Sequence, residues 1–371
     1  MSDHPISTVL IVGGGVAGSA LAVLLARGGV TVEIAEISAD VSALGSGITL
    51  QGNALRQLRA LGVWDAVRAG GFPFDDLGIA APDGTIVAEF PDARTGGPDL
   101  PATLGMNRPE LAEILHAAVR EAGVNIRFGT TVDALTDTGE GVDVVFRDGS
   151  TGSYDLVAGA DGIRSHVRDL IGVEARPEPV GMGIWRVHTR RPEGVTRTDL
   201  AYGGPCYIAG YCPTSPTEMY AYLVEKARPK DEVAGLDPIA EMRRLAEGYG
   251  GAWTEIRAGL VEGARVNYTW FEALLVDGPW HRGRVVLIGD AAHACPPTIA
   301  QGAAMCLEDA AVLAELILAG QPLDGYTDRR LPRVRAVVEA SVQICAWQLA
   351  GEQGDVPGTM ARTSALLTEL P

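Results

Sequence analysis

The first apolar run of the chain, residues 7–12, consists almost entirely of β-branched and aliphatic side chains and is followed by glycines. A short continuous run of this kind is typical of a strand that is buried on both faces. Directly after the glycines, apolar residues recur at helical spacing, with Leu21, Val23 and Leu25 among those that pack inward. The pattern therefore predicts a strand, a tight turn and a helix at the start of the chain.

Further strands and helices are predicted up to about residue 173. A second strand covers 30–36, and helices are predicted over 54–60 and from Pro109, which suits the first position of a helix. Other strands are predicted over 77–80, 86–90, 125–128, 131–135, 142–147 and 154–158. The first two of these are joined by a Pro-Asp-Gly turn signal and so form a hairpin.

Between residues 174 and 282 the predicted strands become longer. They cover 181–190, 200–202, 206–212, 218–226 and 265–271, with a helix over 237–247. Aromatic residues cluster in this segment, namely Trp185, Tyr202, Tyr207, Tyr211, Tyr220 and Tyr222. We interpret the segment as an antiparallel sheet that carries a helix on one side and presents one aromatic face.

The last part of the chain is predicted to rejoin the first. A buried strand over 284–288 runs into a turn of small residues, and a helix starts near Ala303. Another helix is expected over 323–349, and the tail after Gly354 is expected to be loosely held.

These elements predict an α/β fold in which a Rossmann-like domain is interrupted by a mostly antiparallel sheet and ends in a helical segment. The first domain comprises residues 1–75, 102–173 and 283–371, since a chain of 371 residues is comfortable as two domains. The inserted domain comprises the hairpin and loop of 76–101 and the sheet of 174–282.

Composition narrows the class of protein. The formal net charge of −17 argues against a nucleic-acid or anionic-membrane partner. The sequence contains no apolar stretch long enough for a membrane span and no recognisable export signal, so we expect a cytoplasmic protein. The five cysteines are scattered without a CxxC pair, and the six histidines show no metal-ligand spacing. This usage fits reduced thiols and predicts neither a disulfide framework nor a metal site.

The glycine turn supplies the first candidate chemistry. A helix that begins at the end of a buried strand offers free N–H groups and a partial positive charge to an anion. Gly13 permits the tight turn, Gly15 lets a pyrophosphate approach the backbone, and Gly18 lets helix and strand pack closely. Glu36 ends the second strand, where a carboxylate accepts from both hydroxyls of an adenosine ribose and repels a 2′-phosphate, which favours FAD or NAD over NADP.

Two more strands end in small residues and a carboxylate. Asp161 follows the strand over 154–158 and is a candidate acceptor for a ribitol or ribose hydroxyl, and Asp290 follows the strand over 284–288. Arg108 precedes the helix at Pro109 and could reach back to a phosphate or a ring edge. We expect these side chains to meet in one groove.

Three sets of residues carry a resemblance to a known family. They are Gly13-x-Gly15-x-x-Gly18 with Glu36; Asp155 to Arg168 around Asp161-Gly162; and Gly289-Asp290-Ala291-Ala292-His293 with Pro297, Gln301-Gly302 and Glu308-Asp309-Ala310. In this order and spacing the chain resembles the class A flavoprotein aromatic hydroxylases, the para-hydroxybenzoate hydroxylase-like monooxygenases. The resemblance covers nearly the whole chain and includes Arg108 in an arginine-x-x-leucine position and Trp185-Arg186 in the inserted sheet.

The resemblance implies a GR2-type FAD-binding domain. Glu36 would hold the adenosine ribose, Asp290 the ribitol chain and Arg108 the flavin side of the cofactor, while Gly302 would begin a helix aimed at an isoalloxazine carbonyl. The residues expected to bind FAD are Gly13, Gly15, Val16, Ala17, Gly18, Glu36, Gly47, Arg108, Val132, Asp161, Asp290 and Gly302.

The resemblance also implies a reaction. NAD(P)H would visit transiently to reduce FAD, O₂ would give a flavin C4a-hydroperoxide, and this would hydroxylate a phenol-like or heteroaromatic small molecule. Pro297 would lie near the flavin carbon that carries oxygen. Candidates to orient the substrate or take its proton are Arg186, His188, Tyr211 and Tyr222. The choice between NADH and NADPH, and between monomer and homodimer, stays open.

Two departures from the family pattern and four alternatives remain. Ile299 stands where relatives often have glycine and would narrow the pocket, and Ile37 stands where many carry a basic residue. A flavin halogenase would need a Trp-x-Trp-x-Ile-Pro stretch, which the sequence lacks, and a lipid reductase would favour an exposed apolar surface. An NAD-dependent dehydrogenase leaves the Asp161 and Asp290 segments unexplained. A flavin-binding protein without turnover would hold FAD but show no substrate-stimulated NAD(P)H oxidation.

Overall fold

The computed structural model describes residues 6–40 and 47–371. Residues 1–5, part of the segment that shows no export signal, lie outside the described residues. The strands are β1 (Thr8–Val12), β2 (Thr31–Glu36), β3 (Ile48–Gln51), β4 (Phe72–Phe74), β5 (Asp76–Ala80), β6 (Ile86–Pro91), β7 (Thr103–Met106), β8 (Asn125–Phe128), β9 (Val132–Asp137), β10 (Val142–Phe146), β11 (Thr151–Tyr154), β12 (Leu156–Gly159), β13 (Glu178–Arg190), β14 (Thr198–Ala201), β15 (Ile208–Pro213), β16 (Glu218–Lys226), β17 (Val266–Leu275), β18 (His281–Arg282), β19 (Val285–Leu287) and β20 (His293–Ala294).

The helices are α1 (Val16–Arg27), α2 (Gly52–Ala60), α3 (Trp64–Gly70), α4 (Arg108–Glu121), α5 (His166–Leu170), α6 (Lys230–Ala234), α7 (Pro238–Ala246), α8 (Ala252–Ala258), α9 (Gly302–Leu318), α10 (Asp324–Ala350) and α11 (Val356–Thr368). Short 3₁₀ turns cover Gly289–Ala291 and Pro297–Ile299. Within the described residues, no helix has both the length and the apolar character that crossing a membrane requires.

The predicted first strand lies in the middle of a six-stranded sheet with the order β18-β19-β12-β1-β2-β8. It pairs in parallel with β12 on one side and β2 on the other, and Val9, Leu10 and Ile11 are completely buried. Helices α1 and α9 pack against each other beside this sheet and share its hydrophobic core. The apolar run therefore forms the strand buried on both faces that its composition predicts.

One predicted strand is divided in two. Asp155 interrupts the run over 154–158, so β11 belongs to a three-stranded sheet (β11-β10-β9) and β12 to the six-stranded sheet. The Asp155 carboxylate accepts from the backbone N–H groups of Ser7 and Thr8, both at 2.8 Å. The Asp155 carboxylate therefore connects the start of β1 to the break between β11 and β12. A continuous strand would not allow this contact.

The inserted segment forms an eight-stranded, mostly antiparallel sheet with the order β20-β17-β13-β16-β15-β14-β5-β6. The early hairpin of β5 and β6 joins it because β5 pairs in parallel with β14. Helices α7 and α8 cover one face, where they bury Trp185, Tyr211 and Trp253 in a second core. The fold class expected from the sequence, an α/β domain with an inserted antiparallel sheet and a C-terminal helical segment, is confirmed.

The expectation of a single aromatic face is wrong. In the register of the sheet Tyr211 lies opposite Ala221, whereas Tyr220 and Tyr222 lie opposite Cys212 and Gly210. Because neighbouring residues of a strand point to opposite faces, Tyr211 points toward α7 and α8, and the pair Tyr220 and Tyr222 points the other way.

The tail after Gly354 is not loosely held in the structure. It forms α11, in which Leu367 is buried, and the backbone carbonyls of Leu366 and Leu367 accept from the Arg333 guanidinium. The sequence does not identify this anchor because Arg333 lies more than thirty residues earlier in the chain.

Candidate active site

The carboxyl ends of β1, β2, β12 and β19 meet at one edge of the six-stranded sheet, which is where α/β folds bind ligands. Gly13 N–H donates to the Ala35 carbonyl at 2.8 Å, and Ala160 N–H donates to the Val12 carbonyl at 2.8 Å. Gly13 has a φ of +104°, and a Cβ there would lie 2.4 Å from the Ala160 oxygen. The first turn and the segment before Asp161 are therefore in direct contact.

Gly15 and Gly18 have opposite surroundings. A Cβ on Gly18 would lie 2.0 Å from the Gly13 oxygen, so only glycine allows α1 to pack this closely on the turn. A Cβ on Gly15 would meet no atom within 4 Å, and Gly15 is exposed at the N-terminus of α1, whose first residues are Val16 and Ala17. Open space before a helix N-terminus fits a diphosphate.

Glu36 lies beside this turn. One carboxylate oxygen accepts from Gly14 N–H at 2.7 Å and the other accepts from Ser38 N–H at 2.8 Å. His116 contacts the same glycine, because its Nε2 lies 2.7 Å from the Gly14 oxygen. Val132 is buried near the end of the Glu36 strand, where Thr130 N–H donates to the Glu36 carbonyl at 3.1 Å. These contacts hold the Glu36 carboxylate where a ribose would follow the diphosphate.

Asp161, a predicted cofactor-binding residue, contacts the helix that follows it. Its carboxylate accepts from Ser165 Oγ at 2.5 Å and from the N–H groups of His166 and Val167 at 2.7 and 3.0 Å. Asp161 therefore holds the first turn of α5. The buried Arg168 on that helix donates to the Ala291 carbonyl at 3.0 Å and so connects α5 to the turn that carries Asp290.

Asp290 lies in a crowded turn. Gly289 has a φ of +59°, and a Cβ there would lie 2.9 Å from Ala17 of α1 and from the Cys306 sulfur of α9. Burial raises the pKa of the Asp290 carboxyl, while His293 and Arg108 oppose this shift. The Cys306 thiol donates to one oxygen of Asp290 at 3.7 Å. The carboxylate is half-buried and can still accept from a ligand hydroxyl.

This geometry predicts opposite effects of Asp290→Asn on stability and on FAD affinity. Folding holds the pKa of Asp290 above its unfolded value, so the wild-type free energy of unfolding falls as pH rises through that window. The asparagine variant does not titrate, and its apoprotein should be more stable than the wild type above the window. Its FAD affinity should fall about tenfold to a hundredfold, because a hydrogen bond to a charged acceptor is lost.

Chemical denaturation of apoproteins from acidic to neutral pH, with FAD titration, measures both quantities for the Asp290→Asn variant. Asp328→Asn is the control, since that carboxylate lies on the exposed surface of α10. A variant that binds FAD like the wild type would contradict the assignment of Asp290.

Arg108 and Gly47 lie where the proposed cofactor groove meets the inserted sheet. Arg108 begins α4 and is exposed, and its Nε donates to the Gly47 carbonyl at 3.1 Å. A Cβ on Gly47 would lie 2.0 Å from the ring of Tyr220. The Tyr220 hydroxyl is 2.6 Å from Thr49 Oγ1, so the face of Tyr220 and Tyr222 adjoins the proposed cofactor groove.

The N-terminus of α9 is open. A Cβ on Gly302 would meet no atom within 4 Å, and Pro297 is exposed in the 3₁₀ turn before it. Ile299, which we expect to narrow the pocket, is buried in the hydrophobic core. The left-handed conformation that favours glycine occurs at the next residue, Ala300, with a φ of +53°.

Three of the four predicted substrate residues share one face of the inserted sheet. Arg186 is paired with Tyr222 and His188 with Tyr220, and the two tyrosine rings stack 5.6 Å apart. His188 Nε2 lies 3.5 Å from Glu218. Tyr211 lies on the opposite face, where its hydroxyl donates to Asp199 at 2.8 Å.

Arg186 is the distinctive charge on this face. It donates to the Thr269 hydroxyl at 2.5 Å, and no carboxylate of residues 6–40 or 47–371 lies within ion-pair distance of it. Burial, together with the positive charge of Arg108, lowers the pKa of Arg186 to about 10. A largely buried cation without a carboxylate partner favours an anionic ligand.

The sequence profile of the family described as FAD binding domain matches residues 7–341. The chain belongs to this family of FAD-dependent aromatic hydroxylase-like monooxygenases. It is 35% identical over 317 residues to 2-heptyl-3-hydroxy-4(1H)-quinolone synthase of Pseudomonas aeruginosa, covering 83% of this chain and 80% of that protein. It is 31% identical to aurachin C monooxygenase/isomerase of Stigmatella aurantiaca, covering 89% of this chain and 84% of that protein.

Among solved structures, 2-methyl-3-hydroxypyridine-5-carboxylic acid oxygenase superposes with a TM-score of 0.81 at 25% identity, over 97% of this chain and 96% of that chain. The assignment of the chain as an FAD enzyme of this family, which the three motif sets predict, is confirmed. The sequence did not single out Tyr220 as a site residue, although its spacing of two from Tyr222 in one strand signals a shared face.

Proposed function

We propose that this monooxygenase hydroxylates a small heteroaromatic or phenol-like substrate with NAD(P)H and O₂. The observation that carries the proposal is the position of Gly47, which accepts from Arg108 and lies against Tyr220 on the face that presents Arg186. The names of two similar proteins, a 3-hydroxy-4(1H)-quinolone synthase and a hydroxypyridine-carboxylic acid oxygenase, support a ring of the heteroaromatic class.

The residues present fit FAD along the whole groove. The turn at Gly15 would bind the diphosphate, Glu36 the adenosine ribose, and Asp290 the ribitol hydroxyls. FAD, when bound, supplies the hydride and oxygen chemistry of the reaction. The N-terminus of α9 at Gly302 would stabilise negative charge on the ring by up to about 2 kcal/mol.

On the substrate side the protein's contribution is orientation and charge. Arg186 would hold the substrate as an anion, which makes the aromatic ring richer in electrons and so more reactive toward an electrophilic oxygen. Tyr222 lies directly across from Arg186 in the sheet and would fix the ring plane, while the packed face of the sheet excludes water.

The test begins with the absorbance spectrum of the purified protein, which should show bound flavin. NAD(P)H oxidation is then measured with a panel of hydroxyquinolones, hydroxypyridines and phenols, and the products are examined for one added oxygen atom. Oxidation that is stimulated by a ring compound but never yields an oxygenated product would contradict the hydroxylase and favour a flavin protein of another activity.

A further inference from the structure

A group of buried charges lies behind the N-terminus of α9 and has no part in the proposed reaction. Glu308, Asp309 and Arg330 are each 0% exposed. Arg330 donates from Nε to Asp309 at 2.7 Å and from Nη1 to Glu308 at 2.9 Å. Buried ion pairs stabilise a fold weakly at best, so their presence calls for another reason, such as fixing one particular arrangement.

Asp309 holds the turn that carries Asp290. Its second oxygen accepts from Gly289 N–H at 2.9 Å and from His293 Nε2 at 2.6 Å. These two donors lie on either side of Asp290 in the chain. One carboxylate thus fixes both flanks of the turn, while its other oxygen is held by Arg330.

Glu308, the preceding residue, reaches the other turn. It accepts from Asn53 Nδ2 at 3.0 Å, and the same amide nitrogen lies 3.0 Å from Gln301 Oε1. Gln301 directly precedes Gly302, the first residue of α9, and follows the left-handed Ala300. Arg333 also donates to Glu308, at 2.8 Å, and Arg56 lies 3.9 Å from the same carboxylate.

We propose that Glu308, Asp309 and Arg330 are positioning residues that fix the two cofactor-facing turns relative to each other. Asp309 sets the Asp290 turn at the ribitol, and Glu308, through Asn53, sets the Gln301–Gly302 turn at the flavin ring. Arg330 bridges the two acids and couples the turns. This inference rests on the proposed contacts of Asp290 and Gly302 with FAD.

The contact of Asp309 with the Asp290 turn and the contact of Asn53 with the Gln301–Gly302 turn can each be removed by a substitution with an uncharged residue. His293→Phe keeps an aromatic ring against Trp280, 5.2 Å away, but removes the donor to Asp309. It should raise the Kd for oxidised FAD about tenfold. Combined with Asp290→Asn, it should cause little further loss, because both changes remove the same contact.

Asn53→Ala should affect the Gln301–Gly302 turn at the N-terminus of α9. Without the link to Gln301, the N-terminus of α9 is less well aligned with the ring, so the affinity for reduced FAD should fall about fivefold relative to oxidised FAD. Spectroelectrochemistry would show this as a more negative midpoint potential, with the Kd for oxidised FAD nearly unchanged. Arg330→Lys should show both effects.

Arg329→Gln is the matched control, since Arg329 is adjacent in the chain but pairs with Glu315 at the surface. Where one of these variants does not fold, Asp309→Asn weakens the contact with His293, and Gln301→Met removes the contact with Asn53. If His293→Phe and Asn53→Ala lower FAD affinity equally and leave the potential unchanged, the network serves stability only and the proposal is wrong. If Asp290→Asn alone leaves FAD binding unchanged, the fault lies instead with the proposed cofactor site.

Discussion

Gly15→Leu is expected to leave the protein folded while lowering its affinity for FAD by at least about a hundredfold. Gly15 has backbone angles of φ −71° and ψ −166°, which any residue adopts, and no atom lies within 4 Å of an added Cβ. The apoprotein should therefore keep its melting temperature. The leucine side chain would, however, occupy the space before the N-terminus of α1, where the diphosphate has to approach the backbone.

Two other glycines make this experiment specific. Gly194→Leu also adds a side chain in open space, but in a turn of the inserted domain, and should change neither stability nor FAD affinity. Gly18→Ala should instead destabilise the fold, since its Cβ would lie 2.0 Å from the Gly13 oxygen. Apoprotein melting curves and FAD titration by fluorescence separate the three cases. Tight FAD binding by Gly15→Leu would show that the diphosphate binds elsewhere.

The cofactor half of the site could be predicted from sequence because its signals are local. The run 7–12 and its glycines specify a strand, a turn and a helix within about twenty residues, and the structure has all three. Asp290 follows a buried strand in the same way. Parallel strands bring such strand ends to one edge, so local patterns suffice to gather these residues.

What could not be predicted depends on partners far apart in the chain. The contact of the Asp161 carboxylate with the N-terminus of α5 is an example, since a carboxylate at a strand end does not by itself indicate such a partner. The side of the sheet on which Tyr211 lies depends on the register of its strand. Asp309 also contacts His293, and no rule of sequence spacing predicts this pair.

Arg186→Met should lower kcat/KM for the aromatic substrate by about a hundredfold to a thousandfold and leave the Kd for FAD nearly unchanged. Methionine keeps an unbranched apolar stem but removes the charge that faces Tyr222 without a carboxylate partner. Arg190→Met is the matched control, because Arg190 lies at the exposed end of the same strand, beyond the tyrosine pair.

The pH profile distinguishes an orienting role of Arg186 from a merely structural one. Burial and Arg108 lower its pKa to about 10, so the guanidinium stays positive at lower pH, and kcat/KM should rise as the substrate hydroxyl ionises. In Arg186→Met this rise should shift to higher pH, since no cation favours the ionised substrate. Stopped-flow binding and turnover across the pH range measure the shift. Loss of FAD with an unshifted profile would assign Arg186 to the cofactor rather than to the substrate.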